Sequence, residues 1–177
     1  MASELLRVAS LVDDSIVDGP GLRLTVFTQG CPHRCKGCHN PQTHAYGGGR
    51  TMAVSEIWEQ YRDNPLLSGL TFSGGEPFLQ PEPLAALARL AHSAGGDVIV
   101  YTGYTYEALL RSPDFGRFAP LLEETDLLVD GPYIEELRSL ELRFRGSANQ
   151  RLLDREARAR LRSAFQGRGG VGSAASF

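Results

Sequence analysis

Two hydrophobic periods take turns along this chain. The run Leu22-Arg23-Leu24-Thr25-Val26-Phe27-Thr28 is rich in β-branched and aromatic residues and ends in Gln29-Gly30, the pattern of a strand feeding a loop. An earlier strand is expected around Leu5 to Leu11. Past Gly47-Gly48-Gly49 the period changes: Ile57, Trp58 and Tyr61 recur at helical spacing, Ser55 is a candidate cap, and Asn64-Pro65 ends the helix near Asp63. A second strand-helix pair follows. Gly69 to Ser73 empties into Gly74-Gly75-Glu76-Pro77, and after Pro81 and Pro83 the residues Leu84, Leu87, Ala88 and Ala91 make one apolar face up to Gly95-Gly96. A third pair joins the buried-type run Asp97 to Thr102 to a helix over Tyr106 to Arg111. Leu121 to Glu124 reads as a weaker helix, Asp126 to Asp130 as a strand, Leu142 to Arg145 as the last strand, and Asp154 to Phe165 as a basic helix.

Strands alternating with helices imply parallel β-α-β units, whose functional groups collect past the strand C-termini. Five or six units fall short of the ~250 residues of a closed eight-unit barrel. The expected fold is therefore α/β, a partial, open TIM-like barrel with parallel strands. Residues 1–165 are expected to form one domain, and the Gly, Ser and Ala of 166–177 a disordered tail.

Composition narrows the function classes. With 177 residues, 42% hydrophobic and 22% charged, the chain has the makings of a buried core, which argues against disorder and coiled coil. A formal charge of −3 offers no basic field for a phosphate backbone, so no direct nucleic-acid partner is expected. No apolar run approaches the ~20 residues a bilayer demands, and Met1 to Leu11 lacks a basic front followed by an apolar stretch. A cytoplasmic location, with no membrane partner, is the expectation.

All three cysteines fall in one window, Cys31-Pro32-His33-Arg34-Cys35-Lys36-Gly37-Cys38. They stand too close together to staple a fold, and Gly37 permits a tight turn between the second and third. Three thiolates can grip one [4Fe–4S] cluster, which ordinarily takes four; one iron would then stay open to a small-molecule ligand. Zinc held by the thiolates with one of His33, His39 or His44 is the competing reading, and a Cys35/Cys38 redox pair a third. Asp18 to Gly21 and Asp130-Gly131-Pro132 also read as plain turns, Tyr101 and Tyr104 as packing groups, and Arg145 with Arg151 as a solvated pair.

The cysteine spacing resembles the signature of the radical S-adenosylmethionine (SAM) superfamily, and Ser73-Gly74-Gly75-Glu76-Pro77 at the next strand end resembles its glycine-rich turn for the methionine moiety. Asp18-Gly19-Pro20-Gly21-Leu22-Arg23 and Cys38-His39-Asn40-Pro41 resemble the activating enzymes of glycyl-radical proteins. Within that group Gly37, where the pyruvate formate-lyase activators usually carry an aromatic residue, resembles the branch serving anaerobic (class III) ribonucleoside-triphosphate reductase. So do Tyr101-Thr102-Gly103-Tyr104-Thr105, Val129 to Tyr133 and Arg145 to Arg151. The matches span about Ser15 to Leu153.

The resemblance implies a mechanism. Cys31, Cys35 and Cys38 would ligate the cluster, whose open iron is chelated by the amino and carboxylate groups of SAM; reductive cleavage then gives methionine and a 5′-deoxyadenosyl radical. Gly37, Cys38 and His39 would lie beside the adenine, Gly74, Gly75 and Glu76 at the methionine end, and Asn149 would be a polar contact. The radical would take hydrogen from a glycine of a large reductase subunit, with a flavodoxin-type protein as electron donor. Activation of another glycyl-radical enzyme of the pyruvate formate-lyase type, a repurposed radical-SAM reaction, and a noncatalytic metal-stabilised binding module remain the alternatives.

Overall fold

The computed structural model describes residues 4–169. Seven strands form one open sheet: β1 (Leu5–Ser15), β2 (Arg23–Thr28), β3 (Arg50–Ala53), β4 (Gly69–Gly74), β5 (Asp97–Tyr101), β6 (Leu127–Asp130) and β7 (Arg151–Asp154), in the order β3-β1-β2-β4-β5-β6-β7. The helices are α1 (Val54–Arg62), α2 (Pro81–Ser93), α3 (Tyr106–Arg111), α4 (Phe115–Glu124) and α5 (Arg155–Gly169).

The centre of the sheet follows the expected parallel β-α-β logic, with β2, β4, β5 and β6 parallel neighbours. The margins do not. β1 pairs antiparallel with both β2 and β3, and β7 antiparallel with β6. The connection 16–22 is too short for a parallel crossover, which needs a dozen or more residues, so β1 can only fold back along β2. The all-parallel partial barrel thus becomes a mixed, open sheet with a parallel core.

Three local expectations also change. The last strand is Arg151–Asp154, not Leu142 to Arg145, because Phe144 takes a left-handed φ of 58° that an extended strand cannot hold. At the start of α1 the cap is the Glu56 carboxylate, which accepts from the Ala53 N–H at 2.6 Å, while Ser55 lies within the helix. α5 runs through Gly169, four residues into the expected tail, and 170–177 lie outside the described residues.

Period-2 alternation gives the sheet two unlike faces. Leu24, Val26, Leu70, Phe72, Val98, Val100 and Leu128 are fully buried in one apolar cluster with Ile57, Leu84, Leu87, Leu109 and Leu121 of the helices. Their neighbours in sequence, Arg23, Thr25, Phe27, Thr71, Ser73, Ile99 and Tyr101, point the other way. Across that face lies the connection 16–22: Asp18 accepts from Thr25 Oγ1 through its carboxylate (3.0 Å) and from Thr71 Oγ1 through its carbonyl (2.9 Å). Fully buried Arg23 donates to Thr71 Oγ1 and Leu70 O, both at 2.7 Å, and pairs with Asp97 at 2.6 Å. Among the described residues no helix is long and apolar enough to cross a membrane.

Candidate functional site

The parallel strands all deliver their C-terminal ends to one rim, and the cavity opens there. It has a volume of about 360 Å³, within the range of small-molecule sites. Phe27, Ser73 and Tyr101 form its floor from the helix-free face; Cys31, Cys35, Cys38 and His39 come from the loop after β2, and Gly74 and Gly75 from the end of β4. The wall opposite is the long β6–β7 connection, through Tyr133, Phe144, Arg145 and Gln150.

Local geometry explains why the cysteine loop folds as it does. Gly30 N–H and Cys31 N–H donate to the carbonyls of Thr43 (2.8 Å) and His44 (3.3 Å), closing the loop on itself. Cys38 N–H donates to Cys35 O at 3.2 Å, a tight turn whose left-handed residue is Gly37, φ 70°. Asn40 N–H donates to Cys38 Sγ at 3.4 Å. All three thiols are free. Burial pushes the Cys31 thiol up, and the Glu76 charge adds to this against the pull of the His33 and Arg34 backbone N–H groups; a metal binding there must displace its proton.

The turn after β4 packs against the loop. Gly75 N–H donates to Thr28 O and Glu76 N–H to Gly30 O, both at 2.8 Å, and a Cβ on Gly75 would stand 2.2 Å from Gly30 O. No other residue fits there. Glu76 itself is fully buried and does not line the cavity: its carboxylate accepts from Phe78 N–H (3.0 Å), Thr102 Oγ1 (2.9 and 3.0 Å) and Gly103 N–H (3.0 Å), and lies 2.6 Å from His33 Nε2.

Of the residues expected at the site from sequence, Cys31, Cys35, Cys38, His39, Gly74 and Gly75 meet in the cavity wall, while Gly37, Glu76 and Asn149 do not line it. Asn149 Nδ2 donates to Pro132 O at 2.7 Å, and the neighbouring Gln150 lines the cavity instead. The three zinc candidates are dispersed: His33 is turned onto Glu76, His39 packs on Tyr133 with ring centroids 4.9 Å apart, and His44 lines the cavity with its Nε2 unpaired. Among the described residues no three His, Cys, Asp or Glu side chains gather at the spacing of one metal ion. Three thiols spread along a cavity wall suit a polynuclear cluster better than a single ion.

Two residues take a different place from the one expected, His44 as a zinc ligand and Arg145 as half of a solvated pair. Arg145 Nε and His44 Nε2 are buried atoms without a protein partner, on residues that line the cavity; buried polar groups of that kind call for a ligand or water. The supposed companion of Arg145, Arg151, is engaged elsewhere, bridging Asp130 and Glu107. Burial raises Tyr101 far above the usual phenol range, with Asp18 adding to it and Arg23 opposing, so its hydroxyl stays neutral. Thiols, orphan donors and a turn with no room for a Cβ together fit a [4Fe–4S] cluster with a small polar ligand beside it.

Comparison with known proteins agrees. Residues 17–153 match the family model described as a 4Fe-4S single cluster domain. The chain is 36% identical over 144 residues to the anaerobic ribonucleoside-triphosphate reductase-activating protein of Vibrio cholerae, covering 76% of this chain and 89% of that protein. The protein of that name from Escherichia coli K12 is 33% identical over 144 residues, with coverages of 76% and 90%. The pyruvate formate-lyase-activating enzyme of Clostridium pasteurianum is 36% identical over 137 residues, 73% of this chain, and the chain spans only 54% of that enzyme's length.

Proposed function

Because the chain belongs to the 4Fe-4S single cluster domain family, we propose that it is a radical-SAM activating enzyme that installs a glycyl radical on anaerobic ribonucleoside-triphosphate reductase. The observation that carries this reading is the shared cavity, where three thiols, the Gly74-Gly75 turn and two unpaired donors meet. When bound, a [4Fe–4S] cluster supplies the electron for reductive cleavage of SAM.

The chain's own residues hold and shield that chemistry. Cys31, Cys35 and Cys38 would hold the cluster, three thiolates where such clusters ordinarily take four. Gly74 and Gly75 would bring backbone to the methionine end, and the backbone of Cys38 and His39, turned into the cavity wall by Gly37, would serve the adenine side. Arg145 and His44 offer donors to the anionic parts of the ligand, and the neutral Tyr101 hydroxyl adds a donor from the floor. Asn149 steadies the wall by holding Pro132, and Glu76 acts from behind it.

The reductase is preferred to pyruvate formate-lyase as partner because Gly37 stands where the pyruvate formate-lyase activators usually carry an aromatic residue, and its left-handed φ of 70° suits glycine. We assign residues 1–165, together with the rest of α5, to one catalytic domain, a flavodoxin-type protein as electron donor, and the cytoplasm as location. The test is electron paramagnetic resonance on anaerobically reconstituted, dithionite-reduced protein. A cluster signal that changes shape on adding SAM, followed by a glycyl-radical signal when the reductase is added, is the expected result. A signal indifferent to SAM sinks the reading and leaves a binding module; a radical formed only on pyruvate formate-lyase would replace the partner.

A further inference from the structure

Glu76 grips the first cysteine from both sides. Its backbone N–H holds Gly30 O at 2.8 Å, one residue before Cys31, and its carboxylate meets His33 Nε2 at 2.6 Å, two residues after. The same carboxylate is fixed to the end of β5 by Thr102 Oγ1 and Gly103 N–H, and to its own turn by Phe78 N–H. The imidazole is wedged as firmly: a Cβ on Gly103 would stand 2.4 Å from its ring, and Tyr104 meets it edge-on with centroids 4.4 Å apart. A fully buried carboxylate satisfied on every side has no lone pair aimed at the cavity, which it does not line.

We infer that Glu76 and His33 are positioning residues, a strap that ties the segment between Cys31 and Cys35 to the ends of β4 and β5 and so sets the spacing of the first two cluster ligands. The carboxylate serves the ligand loop through His33 and does not touch SAM. The shared hydrogen bond adds a tie to the strand ends for a segment whose other holds, the His33 and Arg34 backbone N–H groups on the Cys31 thiol, are local to the loop. The inference rests on the cluster-binding reading above, but the strap itself exists without metal and can be tested without it.

Two variants separate the hydrogen bond from mere packing. His33→Leu fills similar space without a donor; His33→Gln restores an N–H at similar reach. On the metal-free protein, hydrogen–deuterium exchange over residues 30–38 should quicken about tenfold in H33L, the scale of one charge-assisted hydrogen bond, and much less in H33Q. On the reconstituted enzyme, chelator-driven cluster loss should quicken in the same order, while the midpoint SAM concentration for the change in cluster signal stays near wild type in H33Q. Equal exchange and equal cluster loss in H33L and wild type would overturn the strap, and so would H33Q behaving as badly as H33L. A wild-type protein that takes up no cluster would defeat the functional reading instead, with the metal-free exchange still reporting on the strap.

Discussion

The two faces of the central sheet are built from alternate residues of the same strands, yet they obey different rules. The helix-covered face is apolar through its middle, where Leu24, Val26, Leu70, Phe72, Val98, Val100 and Leu128 are fully buried. The helix-free face carries a buried arginine, threonines and a tyrosine, roofed by a connecting loop, and opens at its C-terminal end into the cavity. One face spends its burial on transfer free energy; the other holds polar groups that must each find a partner. Stability and chemistry are thus separated by a single step in register, and a substitution on one face should leave the other's property standing.

The sharpest way to break that separation is a pair of truncations. Phe72→Ala empties a fully buried site among the helices and should cost about 3–5 kcal/mol, which lowers Tm by roughly 10 °C at this chain length. The fraction that stays folded should still take up iron. Cys35→Ala should do the reverse: iron uptake falls to background while the metal-free Tm moves by less than about 1 kcal/mol in equivalent stability. Calorimetry and iron analysis on both variants read this out. A Cys35→Ala protein as destabilised as Phe72→Ala would show that the two faces are not independent.

Gly75→Ala probes the seam between them and carries a smaller effect. The added methyl lands 2.2 Å from Gly30 O and 2.9 Å from Thr28 O, so the turn after β4 must part from the cysteine loop. Overpacking of this kind costs about 1–3 kcal/mol. Both readouts should respond: a lower Tm in the metal-free protein, and a cluster signal that no longer changes shape at SAM concentrations saturating wild type. Gly116→Ala, where a Cβ meets nothing within 4 Å, is the control. An unchanged SAM response in G75A would uncouple the turn from the ligand.

The same contrast governs what was legible in the sequence. The strands Arg23–Thr28, Gly69–Gly74 and Asp97–Tyr101 and the helix Tyr106–Arg111 announce themselves, because strand length, turn residues and helical period are local signals. The cysteines were legible because three thiols lie within eight residues. Strand direction was not, since the pairing of β1 with β2 depends on which neighbour a strand finds. Glu76 was read as a contact to the ligand on the strength of its motif, and its carboxylate proves to be consumed by Thr102, Gly103, Phe78 and His33. Partners brought together from three separate segments leave no pattern in the chain. Arg145 was read as half of a solvated pair for the same reason: only the fold shows that its Nε is buried and unpaired.

The smallest effect lies at the far side of the apolar core, and it tests whether electrostatics there stay silent at the site. His92, at the end of α2, stands 2.8 Å from both Glu124 Oε2 and Asp126 Oδ2, and Asp126 also accepts from Val98 N–H and Arg155 Nε. Burial works against the charged imidazole, but the two carboxylates outweigh it and lift His92 above its ordinary value. Burial likewise opposes the Asp126 charge, and His92, Val98 N–H and Arg155 overcome it to hold that carboxyl below its usual range. The signs are opposite. His92 stabilises fully below the unfolded imidazole value, and this is lost as pH rises through the higher folded one; Asp126 stabilises above the unfolded carboxylate value, and this is lost as pH falls through the lower folded one. The Tm advantage of wild type over His92→Gln should therefore peak between the carboxylate and imidazole ranges and shrink toward alkaline pH. Thermal melts of both metal-free proteins from about pH 5 to 9 measure it. The SAM-dependent cluster signal should be identical in the two proteins throughout, because no group of this cluster reaches the helix-free face. A pH-independent difference in Tm would remove the charged imidazole from the account, and an altered SAM response would mean that the apolar core transmits what the comparison of faces says it insulates.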